Sequence, residues 1–341
     1  MNSHQRFAAV LAGRQPDRVP VFPLLMSFAA ARAGMTYRRY ATDGRALAEA
    51  QLFIRERFPV DAVTACSDAF RVVADLGGDM VFPEDKPPHL ARPLITEEAD
   101  LTRLKRPDPT AGGGRMADRV RAVAEMARAE KGETWVLGWV DMPFAEAASA
   151  VGVTELMMLT HDQPPLAHRL LEFLTGIVID FALAQVQAGA DMIGAGDAVA
   201  SLVSPKTYRE LVLPYEQRVI EAVHAAGRPV KLHICGNTTA LLPDLIRTGA
   251  DLFNVDHLVR FELARDAYTA AGCAFKGNLD PVADLLQSTP GQAQAKAMEC
   301  LRKAGSSRYL LSAGCEVPAT VTDEVFAAFC AAPTCPLVRD P

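Results

Sequence analysis

Eight short apolar runs separated by helical patterns constrain this chain more than any other feature. They lie at residues 19–25, 61–66, 135–140, 191–196, 229–235, 252–256, 274–279 and 309–315. Most are followed by a stretch of helical periodicity, such as 205–226 after the fourth run and 238–248 after the fifth. Strand–helix alternation implies a parallel sheet, because parallel neighbours need a crossover long enough to hold a helix. Eight such units in 341 residues predict an α/β fold, a single (β/α)8 TIM barrel occupying 1–341 as one domain.

The punctuation agrees. Gly189-Ala190-Asp191 and Gly249-Ala250-Asp251 each end a helix and open a strand, with glycine supplying the left-handed stop. Ala225-Ala226-Gly227 and Ala270-Ala271-Gly272 repeat the device, each with a lysine four residues past its glycine, Lys231 and Lys276. Two stretches depart from the alternation. Residues 70–95 read as a β-hairpin insertion, with Arg71-Val72-Val73-Ala74 and Met80-Val81-Phe82 as arms around Gly77-Gly78. Residues 106–114, rich in proline and glycine, read as a surface loop. The N-terminus leads into a polar, amphipathic helical segment and not into the apolar run of a signal peptide.

Composition narrows the function classes. A net charge of -6 with no basic run argues against nucleic acid or an anionic membrane as partner. No stretch of 18 apolar residues is free of charge, so no membrane span is expected. Seven cysteines, odd in number and thinly spread, are not a disulfide framework. Reduced thiols in a cytoplasmic enzyme fit better, and reduced thiols bind metal.

The chemistry gathers at the predicted strand ends. His233 and Cys235 are two apart on one strand and so face the same side. Cys315 ends the eighth run at the same rim if the barrel closes. One imidazole and two thiolates are a zinc donor set, and three protein ligands leave the fourth position open, as in a catalytic site. Asp141, Asp197, Asp256-His257, Asn278, Asp280 and Glu316 also close strands, at the rim where this fold keeps its active sites. Helix N-capping is the alternative for Asp141 and Asp280. Asp197 lies well before the next helix. Asp256 is a candidate to orient a ligand or hold a substrate amine, and His257 is either a fourth ligand or a loop histidine. The apolar patch 24–31, with Met26 in it, and Met142-Pro143-Phe144 either line the mouth or are core. No phosphate-binding glycine loop or serine nucleophile elbow is present.

At His233-Ile234-Cys235-Gly236-Asn237-Thr238-Thr239 the chain resembles the uroporphyrinogen decarboxylase superfamily. Within that superfamily it looks like the zinc-dependent methyltransferases that take a methyl group from a corrinoid protein, such as the methylcobamide:coenzyme M methyltransferases. Pro16-Asp17-Arg18-Val19-Pro20, Leu202-Val203-Ser204-Pro205, Gly277-Asn278-Leu279-Asp280-Pro281 and Ala313-Gly314-Cys315-Glu316-Val317-Pro318 extend the likeness over nearly the whole chain. The resemblance implies zinc on His233, Cys235 and Cys315. It also implies a methylcobamide carried by a partner corrinoid protein, and a small thiol acceptor of coenzyme M or homocysteine type.

True decarboxylases of the superfamily carry an arginine-rich segment after the first strand. Here that stretch is Pro23-Leu24-Leu25-Met26-Ser27-Phe28-Ala29-Ala30-Ala31-Arg32, apolar with one late arginine. The expected activity is therefore methyl transfer to a zinc-activated thiol, with Asp197 and Asp256 as candidate catalytic residues and Met26, Asp141 and Asn278 as candidate substrate contacts. The alternative is a decarboxylase, or another zinc lyase or hydrolase using Asp197 or Asp256 as acid/base. For a sulfonate-bearing acceptor, Arg32 and Lys276 are the candidate cations.

Overall fold

The computed structural model describes residues 1–305 and 307–335. Seven strands form one curled parallel sheet: β1 (Ala62–Thr64), β4 (Trp135–Asp141), β5 (Met192–Gly196), β6 (Val230–His233), β7 (Leu252–Val255), β8 (Ala274–Leu279) and β9 (Tyr309–Ala313), paired in that order. β2 (Met80–Val81) and β3 (His89–Leu90) form a separate antiparallel pair.

The eighth stave is the first apolar run. Residues 20–24 lie between β9 and β1 and touch both. The Leu311 amide donates to Pro20 O at 2.8 Å and the Phe22 amide to Leu311 O at 2.8 Å, while the Asp61 amide donates to Val21 O at 2.8 Å. Only isolated bridges form, Val21 with Leu311 and Leu24 with Glu316, because Pro20 and Pro23 have no N–H to offer a ladder. The barrel-type expectation holds, with a proline-interrupted first stave.

Alternation along each strand sorts side chains into two layers of core. Trp135, Leu137, Met192, Leu252, Ala274 and Leu310 form the inner cluster. Their chain neighbours Val136, Ile193, Phe253, Phe275 and Leu311 face the helices in the outer one. The N-terminal helix Ser3–Leu11 plugs the bottom of the barrel. Its Phe7 stacks on Trp135 at 4.9 Å between centroids and meets Phe22 edge-on. Burying that ring contributes about 2–3 kcal/mol. Arg6 and Arg18 converge on the buried Asp61 carboxylate, which also accepts from the Val21 amide at 2.7 Å. This explains the Pro16-Asp17-Arg18-Val19-Pro20 motif as a clamp on the barrel floor.

One detail corrects the expectations. Arg71–Asp75 is a helix and not a hairpin arm; its Val72 and Val73 are fully buried, and the antiparallel pair forms from residues further on. The helix Pro164–Gln187 is long and apolar enough to cross a membrane by composition. Its Leu171, Leu174, Val178 and Phe181 are instead buried in the outer core.

Candidate metal centre and its cavity

His233 is the last residue of β6 and, like Lys231 below it, faces inward. Cys235 follows two residues on, and Gly236 then turns the chain with φ +89°, a conformation open to glycine. Cys315 lies two residues past β9. Across that distance in sequence the three donor atoms meet. Cys235 Sγ is 3.1 Å from His233 Nε2 and 3.6 Å from Cys315 Sγ, and Cys315 Sγ is 3.7 Å from His233 Nε2. Both cysteines are free thiols.

These edges fit a tetrahedral ion. Bonds of about 2.3 Å to sulfur and about 2.0 Å to nitrogen put two sulfurs roughly 3.8 Å apart and a sulfur and nitrogen roughly 3.5 Å apart. The triangle is the one group of its kind among the described residues. Its proton balance favours one thiolate: Cys315 is held well below the ordinary thiol range by the hydrogen bond from Cys235 and by His233, against its burial. Cys235 is correspondingly pushed up. Burial keeps His233 below its usual value, which favours the neutral form that can bind a metal.

Polar side chains behind the triangle fix the two loops that carry it. Asp256 accepts from the Gly236 amide at 2.9 Å and the Leu258 amide at 3.0 Å. Asn254 donates to Gly314 O at 2.8 Å. Asn278 donates to Val259 O at 2.6 Å and Asp256 O at 3.3 Å. At Gly314 a Cβ would lie 2.5 Å from the His257 amide nitrogen, so the Cys315 loop packs backbone to backbone on the end of β7.

The triangle opens on a cavity of about 300 Å³ whose wall includes Leu24, Met26, Cys66, Trp139, Asp141 and Glu316. Of the sequence-predicted residues, the structure brings His233, Cys235, Cys315, Met26, Asp141 and Glu316 together here. Asp197, Asp256 and Asn278 do not line the cavity. Asp197 is fully buried and faces Glu216, which accepts from the Tyr208 hydroxyl. Burial pushes Asp197 well up and Glu216 up to about 7. His257 lies 3.1 Å from Asp256 and 3.7 Å from Asp280 and outside the triangle. Of the two candidate sulfonate cations, Arg32 is held by Asp323 and by the carbonyls of Ala319 and Val321. Lys276 lies inside the barrel, donating to Phe22 O at 2.6 Å.

Sequence reasoning missed Arg71, Glu146 and Glu216. Arg71 is fully buried and pairs with Asp141; burial pushes that carboxyl up to about 6 against the pull of the guanidinium. Glu146 is buried beside this pair, and burial and the Asp141 charge push it well up. The signals were present: Glu146 is the lone acid in the apolar helix Pro143–Val151, and Glu216 lies on the stripe Val212, Val219, Val223 that faces the core.

A family model described as uroporphyrinogen decarboxylase (URO-D) matches residues 2–333. A uroporphyrinogen decarboxylase of Rhodococcus erythropolis is 31% identical over 80% of this chain and 78% of that protein. One of Nocardia farcinica is 30% identical over 92% and 91%. Among solved structures, a methyltransferase from Methanosarcina mazei superposes with a TM-score of 0.88 at 22% identity, covering 98% of each chain. A B12-independent methionine synthase from a Shewanella species gives 0.57 at 13% identity over 85% of each. At these identities the two structures speak to the shared fold.

Proposed function

The chain belongs to the uroporphyrinogen decarboxylase family, a family of enzymes, and we propose that it acts there as a zinc-dependent methyltransferase. In this reading it moves a methyl group from a methylated corrinoid on a partner protein to a small thiol, and residues 1–341 work as one domain. The observation that carries the reading is the triangle of His233 Nε2, Cys235 Sγ and Cys315 Sγ at the head of the cavity. His233, Cys235 and Cys315 would hold a zinc ion, which would supply the positive charge that keeps a coordinated thiol ionised at neutral pH.

The reaction joins the acceptor's sulfur to the methyl carbon and breaks the cobalt–carbon bond of the donor, leaving both electrons on cobalt. The protein's own residues supply position and an apolar surround. Leu24, Met26 and Trp139 form an apolar wall beside the triangle. Asp256 and Asn254 hold the two ligand loops in register.

The named relatives favour decarboxylation of a tetrapyrrole as the second reading. One feature weighs against it. None of the described residues lining the cavity is lysine or arginine, whereas several carboxylates on one substrate call for guanidinium partners.

The test is thiol-dependent demethylation of methylcobalamin, followed by absorbance, with zinc per chain measured on the same sample. Demethylation that requires both the thiol and about one zinc supports the reading. If the zinc-loaded protein leaves methylcobalamin intact with every small thiol, and with a cognate corrinoid protein, the reading fails.

A further inference from the structure

The cavity beside the triangle presents hydrogen-bond acceptors and almost no donors. Three carboxyl side chains line it, Asp68, Asp141 and Glu316, and no lysine or arginine does so among the described residues. The nearest guanidiniums, those of Arg115 and Arg71, do not line it and pair with two of the acids. Arg115 grips Asp68 with two bonds of 2.7 Å and also donates to Ala41 O at 2.8 Å. Arg71 is fully buried and pairs with Asp141 through Nη2, while its Nε and Nη1 are buried away from the cavity without a partner. The one hydroxyl in the wall, on Ser149, donates to Ala69 O at 3.1 Å. Arg32 and Lys276 are occupied elsewhere.

An anionic group entering this space meets oxygen lone pairs first, and like charges at contact distance repel. An ammonium meets partners. Asp141 is the best placed: it stands at the end of β4, next to Gly196 across the strand pair, with Arg71 holding it from behind. Gly196 leaves the approach open, since a Cβ there would lie 2.9 Å from Asp141 Oδ1.

Resting on the thiol-acceptor reading above, we infer that the acceptor carries an ammonium or an uncharged group beyond its sulfur and not a sulfonate or lone carboxylate, with Asp141 as the residue that selects it. Selection works through the atoms facing the ligand: carboxylate oxygens in front, guanidiniums behind.

Three two-carbon thiols that differ only in terminal charge test this: cysteamine, 2-mercaptoethanol and 2-mercaptoethanesulfonate. Each is titrated into the zinc-loaded protein by calorimetry and into the cobalt(II)-substituted protein by its sulfur-to-metal charge-transfer band. Affinities are corrected for each thiol's own ionisation. Cysteamine is expected to bind about tenfold or more tightly than the sulfonate, with mercaptoethanol between them. Asp141→Asn, whose amide oxygen still accepts from Arg71, is expected to narrow that ratio severalfold. Equal or tighter binding of the sulfonate by the unaltered protein overturns the inference whatever the variant does, as does a ratio unmoved in a folded Asp141→Asn protein. Binding in the expected order, with no demethylation of methylcobalamin or of a cognate corrinoid protein by any small thiol, leaves the charge preference standing and removes the methyltransferase reading. Methyl transfer fastest to the sulfonate thiol does the reverse, and binding of none of the three overturns the inference.

Discussion

The sulfurs of Cys235 and Cys315 lie 3.6 Å apart although 80 residues separate them in the chain. The contact exists because the strands they follow, β6 and β9, deliver their ends to one rim. Cys315→Ser is therefore expected to reduce tight zinc binding by orders of magnitude while leaving the fold intact, since both cysteines are only partly buried. Serine cannot supply a thiolate to a site whose donors are otherwise soft. Zinc per chain by competition with a chromophoric chelator, beside the far-UV circular dichroism of the same samples, checks this. Full zinc occupancy in the variant would remove Cys315 from the ligand set.

Asp256 takes two backbone amides, those of Gly236 and Leu258, and so acts on the Cys235 loop and not on the cavity. Asp256→Asn retains the size but turns one acceptor into a donor facing an N–H. Partners of this kind are typically worth about 10- to 100-fold in metal affinity. The variant is expected to fall in that range. If Asp256 were instead a general base, metal affinity would stay and only turnover would drop.

The barrel and the meeting of His233, Cys235 and Cys315 were legible in sequence for a shared reason. Strand alternation is strict in a sheet buried on both faces, so runs such as Leu252–Val255 and Ala274–Leu279 reveal themselves, and His-x-Cys at a strand end has one geometric meaning. The first stave was legible as an apolar run, although Pro20 and Pro23 reduce it to isolated bridges. Arg71 escaped because a short Val-Val run is equally compatible with strand and helix, and tertiary packing decided for helix. The roles of Asp197 and Asp256 could not be read from position alone. A carboxylate just past a strand can face the cavity or turn behind it, and here backbone amides and Glu216 hold the two behind.

Burial, against the hydrogen bonds to Tyr208 and Asp197, makes Glu216 a source of pH-dependent instability. Its ordinary value is 4.5 and burial moves it to about 7 in the folded protein. Between those values the native state holds a proton that the unfolded chain releases, so stability falls as pH rises. The full contribution is present below pH 4.5 and lost by about pH 7, a difference of about 3 kcal/mol. Glu216→Gln keeps an acceptor for Tyr208 and has no charge to bury. Denaturant unfolding from pH 5 to 8 should show a flatter dependence for the variant and greater stability than the unaltered protein at pH 8. A parallel slope in the two proteins would contradict the assignment.

Arg71 and Asp141 form a buried pair in which loss of the guanidinium alone strands a carboxyl. Arg71→Met leaves the Asp141 carboxyl, already pushed up to about 6, without its counter-charge beside Glu146. Breaking a buried pair in this way costs about 3–5 kcal/mol. The double variant Arg71→Met/Asp141→Asn removes the stranded charge and is expected to recover most of that loss. Urea unfolding of the two single variants and the double gives the coupling directly; simple additivity would mean that the two groups do not stabilise one another.

Gly314 offers the most local test of how the metal centre is built. A methyl group there would come within 2.5 Å of the His257 amide nitrogen and 3.1 Å of Asp256 Cα, and these are backbone atoms that cannot swing aside. The chain at 314 must retreat from the end of β7. That retreat breaks the bond from Asn254 to Gly314 O and carries Cys315 away from His233 and Cys235. Because the strain falls on the loop beyond β9 and not on the strand, Gly314→Ala should lose metal affinity out of proportion to stability. The expected result is at least a tenfold weaker zinc affinity with a modest shift in thermal midpoint of the metal-free protein. The opposite ratio, intact zinc affinity with a large loss of stability, would mean that the close approach at Gly314 serves barrel closure and that the Cys315 loop tolerates displacement.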